Sequence, residues 1–538
     1  MESNLIKLTP AARKHGNLNL STCGLDFFPD DVFGGSTRKN PGKEITIKAE
    51  GIDYPIKTDI PTDKNTGKPR WIFRKRSWVK EFVHYHKLKP NDTVRINRIN
   101  HSTYQIIPDN NHGSRQKQQI IEKQTYNKIT REERRVTIYK SSTKPTIASE
   151  VTHDTPLSKL NLNWREQDLR EKERTKHVHR LHPYLGKYIP QLVEIFLRKY
   201  FNPGDTVLDP FVGSGTTCVQ ANELGINSIG YDISAFNILL SHVKTAKYDL
   251  IKVRYEVLNL LKKVRLATQE DKRQKKLFGD DLPDELKKLS CESDNKYLQK
   301  WFAPRALREL LTYRHLIETG SYQYPDLLKV ILSRSARSAR LTTHFDLDFP
   351  KHPQREPYWC YKHSRTCSPI QEAFKFLQRY SLDTLTRIEE FARVRTEASV
   401  KLYHGDSRKI RIPPIDGVIT SPPYVGLIDY HDQHAYSYHL LGLERNCDNE
   451  IGPAFKGRSE SAKQQYKQDI AEVFQNVLKS MKSGQHLVVV AHDSADLYGE
   501  IAERIGVEVE DIVKRHVNRR TGRRSNSFFE SVFIWRKI

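Results

Sequence analysis

Two short stretches of this 538-residue chain carry residue types at spacings that could do chemistry. The first, Thr206 to Ser234, reads TVLDPFVGSGTTCVQANELGINSIGYDIS. An apolar run, Thr206 to Leu208, ends on Asp209, and a glycine turn, Phe211 to Gly215, leads into a helical pattern from about Thr216 to Leu224. A second apolar run, Ser228 to Tyr231, ends on Asp232. That is the pattern of one βαβ unit. In open α/β sheets a ligand sits beyond the carboxyl ends of the strands, where glycines let the backbone approach it and an acid about 20 residues on can hold ribose hydroxyls. Asp232 is placed for that second role. Only Gly213-Ser214-Gly215 of the dinucleotide pattern is present, with Val219 where a third glycine would open the helix, so the stretch alone also suits a unit for some other nucleotide. The second stretch, TSPPY at Thr420 to Tyr424, follows a short apolar run from Gly417 to Ile419. It offers a hydroxyl, two residues without an N–H, and an aromatic face.

Both loops need a sheet to bring them together, and the rest of the chain supplies its elements. The apolar positions Ile189, Leu192, Val193, Ile195, Phe196 and Tyr200 predict a core-facing helix over Pro190 to Tyr200, and Phe236 to Thr245 predicts another. Val400 to Ile410 restores a strand that runs to Asp406, and Leu487 to Ala491 is strongly apolar. A basic loop in VNRRTGRRSNSFF and a strand over Glu530 to Trp535 are expected to close the sheet with an antiparallel edge. At about 100 to 200 residues per domain the chain should hold more than one. The expected division is a small β-rich domain over 1–108, a charged linker over 109–175, a catalytic α/β domain over 176–245 and 400–538, and a largely helical insertion over 246–399.

DPFVGSGTT followed by a ribose acid, joined to a downstream TSPPY, resembles the amino-methylating DNA methyltransferases, which transfer a methyl group from S-adenosylmethionine to the exocyclic nitrogen of cytosine or adenine. The resemblance implies a Rossmann-like methyltransferase sheet. It also implies that the cofactor meets Asp209, Pro210, Phe211, Gly213, Ser214, Gly215, Thr216, Asp232 and Ile233, that Asp406 or Ser407 meets its adenine, and that His182 and Tyr184 close its methionine end. Ser421, Pro422, Pro423 and Tyr424 become the catalytic tetrapeptide. An exocyclic amine is a poor nucleophile because its lone pair is delocalised into the ring. Two hydrogen-bond acceptors, the Ser421 hydroxyl and the Pro422 carbonyl, can hold it toward tetrahedral geometry. Tyr424 can stack on a base flipped from the duplex, and Phe211 can face the sulfonium cation. In this family serine at the first position goes mostly with cytosine N4, and Asp or Asn mostly with adenine N6. Cytosine N4 is therefore the expected target, with adenine N6 as the alternative. Carbon-5 methylation needs a nucleophilic cysteine, normally after proline, and none of the six cysteines follows one. PDELKK, Pro283 to Lys288, is not a convincing nuclease constellation, so a separate cognate restriction endonuclease is expected. RNA methylation and a non-catalytic DNA-binding protein are the rival readings.

A net charge of +24 favours a polyanionic partner, here double-stranded DNA. Scattered cysteines, no signal peptide and no apolar run near the roughly 20 residues of a membrane span point to a cytoplasmic protein. In the first domain, WVKEFVHYHKLKPNDTVRINRI resembles the B3-type DNA-binding pseudobarrels, which makes Arg70, Arg74, Lys75 and Arg76 candidate DNA contacts. In the insertion, Arg334, Arg337 and Arg340 recur at i, i+3, i+6, a spacing suited to phosphates or to a solvated helix face. GLIDYHDQHAYSYHLLGL places Tyr430, His431, His434, Tyr436, Tyr438 and His439 either along a base pocket or in aromatic packing. Cys360, His363 and Cys367, with His352 as a fourth ligand, could hold zinc, but C-x2-H-x3-C lacks the paired spacing of a structural site. Ordinary packing and no metal are expected there.

Overall fold

The computed structural model describes residues 3–109, 144–268, 293–517 and 528–538, apart from residues 10, 11, 13, 14, 38, 39, 65, 87, 91, 345, 348 and 349. The PDELKK stretch, Cys291 and the basic loop before the last strand lie outside the described residues. The chain divides into two compact units, Met1–Glu133 and Arg134–Ile538.

The first unit is built on a five-stranded sheet. Its strands are β1 (Ser3–Lys7), β2 (Ile45–Ala49), β3 (Ile56–Thr58), β4 (Thr93–Asn100) and β5 (Thr103–Pro108), in the order β1-β4-β5-β2-β3. Alternation puts Ile45, Ile47, Val94, Ile96, Tyr104 and Ile106 on one buried face. Helix α1 (Ser77–Tyr85) covers that face with Trp78, Val79, Phe82 and Val83, the side chains its helical periodicity selects.

The second unit contains a seven-stranded sheet flanked by helices. Its strands are β6 (Thr206–Asp209), β7 (Asn227–Asp232), β8 (Val400–His404), β9 (Gly417–Thr420), β10 (His486–Ala491), β11 (Val507–Val517) and β12 (Phe528–Lys537), in the order β8-β7-β6-β9-β10-β12-β11. The first five run parallel, and β12 is antiparallel to both β10 and β11. This is the Rossmann-like α/β sheet expected. Continuous apolar runs form its centre because helices cover both faces: β9 is buried throughout and β10 is buried from Leu487 onward. Helices α2 (Pro190–Tyr200), α3 (Thr216–Glu223) and α4 (Ala235–Thr245) follow the predicted pattern within a residue at each end. The edge differs from expectation, since the last strand lies inside the sheet and β11 is outermost. Its charged sequence, VEVEDIVKRHV, fits a strand exposed along one side.

One expected boundary is corrected. From residue 144 onward the supposed linker belongs to the second unit, because Ala148, Val151, Leu160, Leu162 and Trp164 are buried against Leu192, Phe196 and Ile226. Charge averaged over the whole stretch hid these apolar positions. The insertion is largely helical as expected, with α5 (Leu250–Thr268), α6 (Pro304–Thr319), α7 (Pro325–Ala339) and α8 (Phe374–Ala392), and among the described residues its core is shared with the catalytic domain. Its buried side chains form one cluster with Phe236, Leu240 and Val243 of α4 and with Val178 and Leu181. The first turn of α8 is held by buried Glu309 of α6, whose carboxylate accepts from the N–H groups of Ala373 and Phe374 at 2.6 and 2.8 Å.

Arg334 and Arg340 do not form a phosphate-facing row. Arg334 is ion-paired to Asp383 at 2.6 Å and lies over the Tyr380 ring, while Arg340 donates to the Leu347 carbonyl and lies over Tyr436. Both are buried, and Arg337 is half-buried near His182 and His434. Arg74 is likewise occupied, with donors on Asp59 at 2.7 Å and on the Gly35 and Thr37 carbonyls.

Candidate active site

The glycine turn after β6 and the tetrapeptide after β9 meet because those strands are neighbours, with Val207 and Leu208 paired to Gly417 and Val418. One side chain joins the two strand ends. Asp209, 1% exposed, accepts from Thr420 Oγ1 at 2.6 Å, Thr217 Oγ1 at 2.7 Å, the Phe211 N–H at 3.1 Å and the Tyr188 hydroxyl at 3.1 Å. Burial pushes its carboxyl above the ordinary range, and these donors oppose the shift. Asp209 therefore fixes the loops rather than touching a ligand, which corrects its expected cofactor role.

The loops frame a cavity in the sheet's carboxyl-end face. Pro210, Phe211, Gly213, Ser214, Thr216, Asp232, Ile233, Asp406, Ser407, Tyr184, Ser421 and Pro423, all singled out from the sequence, line it. Gly213 has φ +48, and a Cβ there would stand 3.2 Å from the Tyr184 hydroxyl; its N–H donates to Asp232 at 2.9 Å. Gly215 has φ +76 at the start of α3, and a Cβ would press to 2.9 Å from Ser241 Oγ. Asp232 also accepts from the Ser234 N–H and the Asn237 amide, yet burial pushes its carboxyl up to about 6. Ser407 donates to the Pro210 carbonyl at 2.6 Å, which ties the β8 loop to the glycine turn. Asp406 is gripped by Arg408 through two nitrogens; burial pushes its carboxyl up, but the guanidinium outweighs this and holds it below the usual range.

Several expected residues stand behind the wall. His182 is buried, donates to the Pro183 carbonyl and receives the Ser333 hydroxyl at 3.0 Å; burial first, then the neighbouring His434, push its imidazole well below the ordinary range, and it packs against the insertion without lining the cavity. Gly215, Pro422 and Tyr424 do not line the cavity. The Tyr424 hydroxyl donates to Glu530 at 3.1 Å, and Glu530 is held by Arg515 at 2.9 Å. Of the aromatic segment, Tyr430 and His431 line the cavity, His434, Tyr436 and Tyr438 pack inward, and His439 stacks on Tyr297.

Sequence reasoning missed four residues. Lys187 lines the cavity, and burial pushes its ammonium down to about 8. Lys244, fully buried, donates to the Ser214 carbonyl at 2.6 Å beneath the glycine turn. Glu450 lines the cavity paired with His431, and Tyr466 donates to the Pro423 carbonyl at 2.8 Å. Lys244, at one turn's spacing from Leu240 on an apolar helix face, is the only one with a local signal.

Three hydroxyls in the wall are enclosed: those of Ser214 and Thr216 have no hydrogen-bond partner, and that of Ser421 has only the Tyr424 hydroxyl beside it. Ser214 and Thr216 sit at the start of α3, where backbone N–H groups favour an anion, with Lys187 in the same wall. They would hold a carboxylate, and Asp232 would hold ribose hydroxyls. This donor set fits a nucleoside with an amino-acid tail, as S-adenosylmethionine, the methyl donor of methyltransferases, is.

The family model described as DNA methylase matches residues 54–242, a span containing the glycine turn and Asp232 but not Thr420–Tyr424. The Type II methyltransferase M.MjaII of Methanocaldococcus jannaschii is 40% identical over 430 residues, covering 68% of this chain and 81% of that protein. The Type II methyltransferase M.BsoBI of Geobacillus stearothermophilus is 26% identical over 306 residues, covering 52% and 56%. A solved rRNA methyltransferase, aviRa from Streptomyces viridochromogenes, covers 69% of this chain and 96% of its own at 12% identity and a TM-score of 0.26, too distant to bear on the assignment. The chain belongs to the amino-methylating DNA methyltransferases.

The state of Asp232 should govern cofactor affinity. Only the ionised carboxylate can accept from two ribose hydroxyls, and its value of about 6 places proton uptake at mild acidity. The dissociation constant for S-adenosylmethionine, measured by calorimetry, should rise as pH falls through 6, to roughly tenfold weaker binding at pH 5 than at pH 7. Asp232→Asn should bind weakly with a flat profile; a flat wild-type profile would contradict the role.

Proposed function

We propose that this enzyme methylates the exocyclic N4 of cytosine at a specific site in double-stranded DNA, as the modification partner of a separate restriction endonuclease. The observation that carries this reading is the enclosed hydroxyl of Ser421, which has only the Tyr424 hydroxyl beside it as a partner and keeps its oxygen lone pairs free to accept. An unspent acceptor in the cofactor wall suits an amine that must be held there. Among the described residues no donor meets the Pro422 carbonyl either, whereas the Pro423 carbonyl is occupied by Tyr466. When bound, the cofactor supplies an electrophilic methyl group on a sulfonium. Ser421 Oγ and the Pro422 carbonyl take one N–H each from the target amine, pulling the nitrogen toward pyramidal geometry with its lone pair turned to the cavity. Tyr424, tethered to Glu530 through its hydroxyl, is the ring assigned to stack on a flipped base. Serine rather than Asp or Asn at position 421 supports cytosine over adenine.

Ser421→Ala should lower the transfer rate roughly 100-fold or more, as for loss of a positioned hydrogen-bonding group, with cofactor affinity nearly unchanged. Mass spectrometry of nucleosides from duplex DNA treated with the wild-type enzyme should find N4-methylcytosine. N6-methyladenine as the product would overturn the cytosine assignment, and transfer to structured RNA alone would overturn the DNA one.

Arg70, Lys75 and Arg76 are exposed on the first unit, and we assign them to DNA phosphates within a B3-like module. Their present partners, Asp63, Glu44 and Asn17, form surface pairs that are easily exchanged. In filter binding across a salt series, Arg70→Ala with Arg76→Ala should weaken all DNA sequences alike. The slope of log affinity against log salt should become shallower by about 0.9 per lost phosphate contact, and an unchanged slope would remove these residues from the interface.

A further inference from the structure

Between α7 and α8 the chain makes a hairpin of two three-residue strands, Tyr358–Cys360 and Arg365–Cys367, paired antiparallel with Cys360 opposite Arg365. Among the described residues from 343 to 368 only Cys360 and Cys367 are buried. An isolated short hairpin is marginally stable in water, and this one has no apolar core to hold it. Something else must clamp it. The structure assigns a tetrahedral zinc site to His344, Cys360, His363 and Cys367. One ligand atom from each lies within 4.8 Å of the other three. Cys360 Sγ is 3.5 Å from His344 Nδ1 and 3.6 Å from His363 Nδ1, and Cys367 Sγ is 3.5 Å from His363 Nδ1. Zinc with bonds of about 2.3 Å to sulfur and about 2.1 Å to nitrogen, at tetrahedral angles, sets sulfur and nitrogen about 3.6 Å apart. The packing reading is thereby replaced, and His344, just past α7, stands where His352 was expected. Two thiols and two imidazoles, all four ligand positions supplied by protein, are the chemistry of a structural zinc site.

Two neighbours bear on the assignment. The Tyr358 hydroxyl accepts from the His344 N–H at 2.9 Å and also lies 2.8 Å from His344 Nδ1, so it must release that nitrogen when metal binds. The other histidine cluster, His177, His179 and Glu223, offers only three donors, and Lys176 already occupies Glu223 at 2.6 Å while Lys187 and Lys244 add positive charge around His179. It does not suit a cation. The zinc site would pin the connection between α7 and α8, and it stands independently of the methylation chemistry.

Elemental analysis of the full-length protein, expressed with zinc and dialysed, should find about one zinc per chain. Cys360→Ser with Cys367→Ser should lose it, while Cys447→Ser and Tyr358→Phe should keep it. Should the double variant fail to fold, the wild-type protein loaded with cobalt decides: thiolate-to-cobalt charge transfer with intense tetrahedral d–d bands supports the site. Cobalt bound without those bands, wild-type protein essentially free of zinc, or a double variant that retains it would each overturn the proposal.

Discussion

A buried carboxylate holds this active site together. Asp209 ends one strand, Thr420 ends its neighbour 211 positions later, and the 2.6 Å hydrogen bond between them ties together the two loops proposed to hold methyl donor and target amine. An ion so enclosed is costly unless its lone pairs are filled. Here the partners come from each element that must be placed: Thr217 from the first turn of α3, the Phe211 N–H from the glycine turn, Thr420 from the strand before the tetrapeptide, and Tyr188 from the segment ahead of α2. The cost of burial is what makes the arrangement specific, because a shifted loop would leave part of the charge unsatisfied.

The insertion continues this logic. It shares its core with α4, and a chain of polar contacts crosses the junction: His182 to Ser333, Ser333 to Ser437 at 2.6 Å, and Tyr438 to Ser234 at 2.7 Å. Ser234 also accepts from the Asn237 N–H at the first turn of α4, and Asn237 contacts Asp232 in the cavity. Movement of α7 relative to the sheet would therefore be felt at Asp232. Two of the arginines that looked suited to DNA serve this packing instead.

What the sequence made legible was local. The βαβ unit, its glycine turn and the tetrapeptide could be read because their periodicity and turn chemistry lie within about 30 residues. Asp209 could not be reassigned from sequence, since its defining partner is far along the chain. Helical spacing aligned Arg334 with Arg340 but could not say which way that face turned, and on α7 it turns inward. The sequence suggested His352 beside the two cysteines, and only the path of the chain past α7 brings His344 there instead. The strand β11 was hidden because an edge strand exposed on one side loses the apolar run that announces a central one.

The most direct test of the latch is the single-turnover rate of methyl transfer by Thr420→Val with cofactor and DNA both saturating, so that binding is removed from the comparison. Valine keeps the shape and deletes the hydroxyl that Asp209 accepts from. If the latch sets the distance between donor and target amine, the rate should fall at least about tenfold, since small misplacements of reacting groups are expensive. A wild-type rate in that variant would contradict the account.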